Sequence, residues 1–170
     1  MNLVGHSASG AVITGVADLA PNRVSHLIYL DAVVPEDGQS AWESFGPLDR
    51  EGLEQLLATS EPKWLLAVPA EFYEDDHPFG IADAADGRWV KSKLTPQPVR
   101  PWRDALRLSR PMTARLSYIY CDRRGNRYAD TAARVRSDPA WQYRALKTGH
   151  DAMVSAPHEL TDVLVELAVL

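Results

Sequence analysis

The sequence predicts an α/β protein with a mostly parallel sheet, flanked by helices and carrying a small helical cap. Three observations lead to this prediction. Apolar runs of strand type alternate with helical runs towards both ends of the chain, which is the order of a parallel sheet covered by helices. The strand runs are nearly continuous in apolar residues, as expected where both faces are buried. The middle of the chain, rich in proline and tryptophan, breaks this alternation.

The first strand and helix flank a turn of small residues. The strand begins at Met1 and leads into the turn, and a helix is predicted over 8–19, with its apolar stripe formed by Ala11, Val12, Val16 and Leu19. Pro21 stops this helix. The next run, VSHLIYLDAVV over 24–34, is apolar and β-branched and ends at Pro35. It is typical of a strand buried on both faces.

The remaining elements divide the chain into a core and an insertion. Residues 35–111 are predicted as the cap, in which short helices such as 50–59 alternate with loops. The core is predicted to comprise 1–34 and 112–170. Its second half contains strands over 115–121 and 141–149 and helices over 128–136 and 157–170.

Composition narrows the class of protein. The chain has 170 residues, 45% of them hydrophobic, which suits one globular domain. Its net charge of −5 argues against a nucleic-acid partner. The single cysteine, Cys121, excludes an internal disulfide and suits a reducing compartment. No apolar run approaches the roughly 20 residues of a membrane helix, and no signal peptide is recognisable. We therefore expect a cytoplasmic protein with no membrane or nucleic-acid partner.

The sequence NLVGHSASG at residues 2–10 is the strongest functional signal. A Gly-x-Ser-x-Gly turn between a strand and a helix forms a nucleophile elbow, because small neighbours allow a turn sharp enough to present the serine. Gly5 and Ser7 fit this pattern, whereas Ser9 replaces the second glycine and is followed by Gly10. The helix start brings N–H groups to the site, and the Ala8 N–H is the expected oxyanion donor.

A serine nucleophile needs a base, and the chain has five histidines. His150, in KTGHDAM just past the last predicted strand, follows the order serine, acid, histidine. His6 belongs to the elbow and is expected to pack beside it. His26 and His158 are read as structural, and His77, in EDDHPF, as part of a solvated loop. No metal or other cofactor is predicted.

Two aspartates are candidates for the acid that orients His150. Asp31 ends the strand after the nucleophile, and Asp122 directly follows the strand over 115–121. Either carboxylate would hold the imidazole and stabilise its charged form. Asp151, adjacent to His150, is interpreted as a local hydrogen-bonding residue.

With these residues placed, the sequence resembles the α/β-hydrolase superfamily. It is similar to the small esterase branch that contains plant methylesterases, hydroxynitrile lyases and their bacterial relatives. The resemblance rests on LVGHSASG, LDAVVPEDGQS, RWVKSKLTPQP and TGHDAM and covers essentially the whole chain. It implies an α/β-hydrolase fold, Ser7 as nucleophile and His150 as base.

The sequence departs from this family at two points. Where the plant enzymes carry the acid, the best match is Arg124, with Asp122 two places early, whereas Asp31 resembles the acid of related hydrolases such as haloalkane dehalogenases. Asp31 is therefore favoured. Family members also have strands and an oxyanion loop before the elbow, so we expect an N-terminally truncated fold lacking about 70 residues. Its first strand would then be an exposed edge, open to self-association.

The predicted function is a serine hydrolase that cleaves a small carboxylic ester through an acyl-enzyme. Tryptophans of the cap are expected to line the substrate pocket beside His6, namely Trp42, Trp64, Trp89 and Trp102. Two alternatives stay open. One is a lyase of hydroxynitrile type, for which Lys147 is the only lysine close to His150 in sequence. The other is a catalytically inert fragment that serves as a binding or assembly partner.

Overall fold

A four-stranded parallel sheet forms the centre of the molecule. The computed structural model describes residues 1–74, 77 and 80–169. The sheet consists, in spatial order, of β1 (Asn2–His6), β2 (His26–Leu30), β5 (Arg115–Cys121) and β6 (Trp141–Leu146). A separate antiparallel pair joins β3 (Leu65–Leu66) to β4 (Gln97–Pro98). The predicted mostly parallel sheet is confirmed.

Helices precede and follow these strands, in agreement with the predicted α/β alternation. In the described residues they are α1 (Ser9–Leu19), α2 (Pro47–Thr59), α3 (Ala84–Lys93), α4 (Arg100–Arg103), α5 (Ala129–Ser137), α6 (Ala152–Ser155) and α7 (Pro157–Val169), with a 3₁₀ turn at Ala70–Tyr73. None of the helices in this part of the chain is long and apolar enough to cross a membrane.

Strand β2 explains why the sheet needs helices on both faces. All five of its residues are buried. Successive side chains of a strand point to opposite faces, so Leu27 and Tyr29 pack with α1 and α5, whereas Ile28 and Leu30 pack with α6 and α7. The continuous apolar run that identified this strand in the sequence is the direct result of this double burial.

Helix α1 is rotated relative to the predicted stripe, and this prediction is wrong. Val12 is 62% exposed, Leu19 86% and Val16 39%, and the buried face is instead formed by Gly10, Ile13, Thr14, Ala17 and Asp18. Small residues allow the helix to approach the sheet closely, and the Thr14 hydroxyl bonds both the Gly10 carbonyl (2.8 Å) and the Tyr29 hydroxyl (2.7 Å). The buried face of α1 is therefore the one that carries Gly10 and Ala17, and the face that carries Val12 and Val16 is exposed.

The segment between β2 and β5 packs beside the carboxyl ends of the strands. Its buried apolar cluster combines α2, β3 and the loop after β2 with one residue of the loop after β5, through Val33, Ala41, Trp42, Phe45, Leu53, Leu57, Leu66, Val99 and Tyr128. The predicted cap boundaries, 35 and 111, stay predictions. Four residues of the predicted loop around His77 lie outside the described residues: Asp75, Asp76, Pro78 and Phe79.

Strand β1 stands at one end of the described strand order and pairs with β2 from Asn2 opposite His26 to His6 opposite Leu30. The self-association predicted for this edge stays a prediction.

Candidate active site

Ser7 lies directly after β1, in a backbone conformation that L-residues rarely adopt. Its φ is +57°, one of two positive values among the described non-glycine residues. Such a conformation costs of order 1–3 kcal/mol and persists where surrounding contacts hold it. Here the Ser7 N–H donates to the Leu30 carbonyl (3.3 Å), and the Ser7 carbonyl accepts from the N–H groups of Gly10 (3.2 Å) and Val33 (3.1 Å). The turn has the strained geometry of a nucleophile elbow.

Two glycines make this turn possible. A Cβ on Gly5 would lie 2.8 Å from the Ser9 carbonyl oxygen and 2.9 Å from Ile13, and one on Gly10 would lie 2.0 Å from the Val33 carbonyl oxygen. Ser9 is exposed. The close approach expected of the second glycine in the motif thus occurs one residue later, at Gly10, which explains why serine is accommodated at position 9.

Asp31 is the second positive-φ residue, at +42°, and directly follows β2. Its fully buried carboxylate accepts the Cys121 N–H (3.1 Å) at Oδ1. The Asn126 side-chain amide donates to both oxygens, at 2.8 Å and 3.0 Å. The same amide donates to the Cys121 carbonyl (2.7 Å), so Asn126 ties Asp31 to the end of β5. These donors compensate the carboxylate for its loss of water.

His150 lies four residues beyond β6, and its imidazole meets the Asp31 carboxylate. Nδ1 is 2.7 Å from Asp31 Oδ2, and both side chains are buried. A carboxylate accepts hydrogen bonds, so Nδ1 carries the proton and Nε2 keeps a lone pair. The structure therefore brings His150 to Asp31. Asp122 instead lines a separate surface depression with Arg123, Lys147 and Thr148.

His6, at the end of β1, packs against His150. The ring centroids are 4.3 Å apart, and His6 Nε2 donates to the His150 carbonyl oxygen at 3.0 Å. Burial, and secondarily the proximity of His150, lowers the pKa of His6 to about 3. The ring is therefore neutral at ordinary pH and adds no positive charge beside His150.

The Ser7 hydroxyl has a partner that the motif does not predict. Ser7 Oγ lies 3.1 Å from the Tyr128 hydroxyl oxygen, and the described contacts include no hydrogen bond from Oγ to the His150 ring. The Tyr128 ring stacks on His150, with centroids 5.4 Å apart and planes at 14°. Catalytic hydrogen bonds commonly tighten only when substrate is bound, so the arrangement is compatible with a serine–histidine pair.

A cavity of about 320 Å³ opens above Ser7. Besides Ser7, its lining includes His6, Ala8, Ser9, Leu53, Leu56, Leu66, Val68, Phe72, Tyr73, Gln97, Trp102, Arg127, Tyr128, His150 and Asp151. Burial raises the pKa of Asp151, with His150 opposing the shift, and raises the pKa of Tyr73 to about 12. The pocket thus combines apolar side chains with polar ones, which include Gln97, Arg127 and Asp151 as well as the groups at the serine.

The four tryptophans predicted for the pocket occupy three kinds of position. Trp102 lines the cavity. Trp42 is buried in the apolar cluster of α2 and β3, with the Arg103 guanidinium 4.8 Å from its ring centroid. Trp64 and Trp89 are exposed, at 59% and 57%, and are not among the lining residues.

Asn126 and Tyr128 were missed by sequence reasoning. Both belong to RRGNRYAD, a polar loop between β5 and α5. The one signal available was position, because this loop follows the carboxyl end of a buried parallel strand, where open α/β sheets place their sites.

No group of three or more His, Cys, Asp and Glu side chains in the described part of the chain is arranged to hold a metal ion. His26 is buried within the sheet and bonds Ser117 Oγ at 2.7 Å, and His158 is exposed at the start of α7.

Comparison with known proteins agrees with this fold. The model of the alpha/beta hydrolase family matches residues 2–163. A carbendazim hydrolyzing esterase from Nocardioides sp. (strain SG-4G) is 30% identical over 181 residues, which span 97% of this chain and 70% of that protein. The chain belongs to the alpha/beta hydrolase family, as its motifs predict, and the predicted class of enzyme, a hydrolase of the esterase type, is confirmed at this level.

Solved structures share the fold at low sequence identity. An extracellular alpha/beta-hydrolase from a Paenibacillus species, described as homologous to tobacco salicylic acid binding protein 2, superposes with a TM-score of 0.80 at 22% identity, covering 98% of this chain and 71% of its own. Tomato methylketone synthase I gives 0.77 at 14% identity, covering 99% and 70%. A pyrethroid hydrolase from Sphingobium faniae gives 0.72 at 22%, covering 98% and 70%.

Proposed function

We propose that this chain hydrolyses a small carboxylic ester with Ser7 as nucleophile, His150 as base and Asp31 as the acid that orients His150. The observation that carries the proposal is the buried 2.7 Å hydrogen bond between His150 Nδ1 and Asp31, together with a strained serine that lines the same pocket as His150. This pair fixes the tautomer in which Nε2 can accept a proton.

In the proposed reaction, Ser7 Oγ attacks the ester carbonyl carbon while its proton passes to His150 Nε2. The Asp31 carboxylate stabilises the imidazolium that forms. Collapse of the tetrahedral intermediate expels the alcohol, which takes the proton from His150, and leaves an acyl group on Ser7. Water, deprotonated by His150, then releases the acid.

The start of α1 supports the oxyanion role proposed for Ala8. The Gly10 and Ala11 N–H groups donate to the carbonyls of Ser7 and Ala8. Among the described residues the Ala8 N–H donates no hydrogen bond. It is thus available for the charge that develops on the carbonyl oxygen, next to the positive end of the α1 dipole.

The names of the relatives support an ester as substrate, since they include a carbendazim hydrolyzing esterase and pyrethroid hydrolases. Leu53, Leu56 and Phe72 give the pocket an apolar part that suits the uncharged acyl or alcohol group of an ester.

A fluorophosphonate probe tests the proposal, because it labels a serine only when a base activates it. We expect an adduct on the peptide that contains Ser7, absent in Ser7→Ala and in His150→Ala. His158→Ala, at an exposed histidine, is the matched control and should label like the wild type. Hydrolysis of p-nitrophenyl acetate, carbendazim and a pyrethroid would follow in the same four proteins. A folded wild-type protein that neither labels at Ser7 nor cleaves any ester would refute the proposal.

A further inference from the structure

The Tyr128 hydroxyl forms a hydrogen bond with the hydroxyl of Ser7, the proposed nucleophile. Its oxygen lies 3.1 Å from Ser7 Oγ, and it is the side chain that hydrogen-bonds that atom. The family motif in the sequence assigns this position no role. Tyr128 nevertheless lines the cavity above Ser7 together with His150.

Tyr128 is held in place from three sides. Its N–H donates to Asn126 Oδ1 (2.9 Å), and Asn126 also binds the Asp31 carboxylate. Its ring stacks on His150 and packs against Phe45, with centroids 6.2 Å apart. The residue is only 2% exposed. A donor fixed in this way does not have to reorient during the reaction, and such preorganised donors are effective in electrostatic catalysis.

We propose that Tyr128 is a catalytic residue whose hydroxyl donates a hydrogen bond at the reacting centre, first to Ser7 Oγ and then to the oxyanion of the tetrahedral intermediate. The inference rests on the ester-hydrolase function proposed above. It adds a side-chain oxyanion donor to the backbone N–H of Ala8.

The proton inventory is consistent with this role. Either hydroxyl can donate across the 3.1 Å contact, and in the proposed resting site the Tyr128 O–H donates to Ser7 Oγ, which leaves the proton of the Ser7 hydroxyl for His150 Nε2. On attack the Oγ–C bond forms, the π electrons of the carbonyl move to its oxygen, and Oγ becomes an ether-like oxygen that accepts poorly. The new oxyanion is attached to the same carbon, so it is the stronger acceptor within reach of the same O–H. Tyr128 keeps its proton throughout.

A role in packing alone would not require the hydroxyl. Stacking on His150 and contact with Phe45 use the ring, which phenylalanine would supply equally well. A buried hydroxyl loses its water and costs free energy unless it is bonded, and here the bond goes to the atom that reacts. This difference between ring and hydroxyl makes the inference testable.

Tyr128→Phe removes the hydroxyl and keeps the ring. We expect kcat for p-nitrophenyl ester hydrolysis to fall about 100-fold, the usual effect of losing one oxyanion donor, with KM within twofold of wild type. The matched control is Tyr29→Phe, which removes another buried hydroxyl bonded to a hydroxyl, that of Thr14, and neither residue lines the cavity. Its kcat should stay within twofold of wild type.

A boronic acid, which forms a tetrahedral adduct with an active serine, separates catalysis from structure. If Tyr128 stabilises the oxyanion, Tyr128→Phe weakens boronic-acid inhibition by about the factor lost in kcat, while inhibition by a carboxylate product is unchanged. Unchanged kcat in Tyr128→Phe, or an equal loss in Tyr29→Phe, would overturn the inference while wild-type turnover and Ser7→Ala inactivity upheld the ester-hydrolase proposal. A wild-type protein with no turnover and no Ser7 adduct would overturn both.

Discussion

Asn126→Asp is the sharpest test of how the Asp31 carboxylate is held. The substitution preserves the shape of the side chain but replaces an amide that donates to Asp31 at 2.8 Å and 3.0 Å with a second carboxyl group. Two ionised carboxylates at this separation repel by about 6 kcal/mol at an effective dielectric constant of 20. The folded protein avoids this repulsion by retaining a proton on the pair.

The cost of that proton sets the magnitude and its pH dependence. An aspartate in the unfolded chain has a pKa of about 3.9, so holding one proton in the folded state costs about 1.4 kcal/mol for each pH unit above that value. The free energy of unfolding of Asn126→Asp should therefore lie about 5.5 kcal/mol below wild type at pH 8 and about 1.5 kcal/mol below it at pH 5. The sign follows because the folded variant binds more protons than the unfolded chain, so its stability falls as pH rises.

Urea unfolding at pH 5, 6, 7 and 8 measures this difference directly. Asn22→Asp, at an exposed turn, adds the same charge without a carboxylate partner and should track the wild type within about 0.5 kcal/mol. Subtracting the wild-type curve at each pH removes every titration that the two proteins share. A stability difference that is flat between pH 5 and pH 8 would refute the contact between Asn126 and Asp31.

Three further perturbations probe the elbow. Gly10→Ala places a Cβ 2.0 Å from the Val33 carbonyl oxygen and should lower the free energy of unfolding by more than about 3 kcal/mol in urea, whereas Gly52→Ala, with open space around it in α2, should raise it by up to about 1 kcal/mol. The free energy of unfolding of the wild type should fall by about 2 kcal/mol from pH 7 to pH 5, because folded His6, with a pKa of about 3, stays neutral where the unfolded histidine, with a pKa of about 6.5, binds a proton. In His6→Gln this fall should disappear. Equal shifts of the urea midpoint in the two proteins would contradict this. Ser7→Gly should be more stable than Ser7→Ala by about 1 kcal/mol in thermal unfolding, since both lack the hydroxyl and only glycine relieves the strain at φ +57°; the reverse order would show that the turn is unstrained.

The sequence located the residues that follow strands. Ser7, Asp31 and His150 come one, one and four residues after β1, β2 and β6. Parallel strands place their carboxyl ends at one edge of the sheet, so recognising the strands was enough to predict that these side chains meet. The catalytic roles assigned to them remain the proposal stated above.

The partners that hold these residues did not follow from the sequence. Asn126 and Tyr128 reach the site from the loop between β5 and α5, and the path of a loop is not encoded by a hydrophobic period. The orientation of α1 was mispredicted for a related reason. The apolar side chains of Val12 and Leu19 indicated a buried stripe, yet the buried face carries Gly10, Ile13 and Ala17, and Gly10 lies against the backbone of Val33.

The register of β1 and β2 sets the relative position of Ser7 and Asp31. His6 and Leu30 are opposite one another in the β1–β2 pair, and the next residue of each strand, Ser7 and Asp31, has a positive φ. Each donates its own backbone N–H to a carbonyl of the neighbouring strand, Ser7 to Leu30 of β2 and Asp31 to Ile119 of β5.

His150 is different, because it lies in the loop after β6 rather than at the residue that directly follows a strand. Its backbone carbonyl accepts from His6 Nε2 at 3.0 Å and lies 3.8 Å from Cys121 Sγ, and both contacts come from residues that end strands. The sheet therefore positions all three members of the proposed triad, two through backbone register and the third through side chains that hold its carbonyl. A substitution that loosens His6 should accordingly disturb the base before it disturbs the nucleophile.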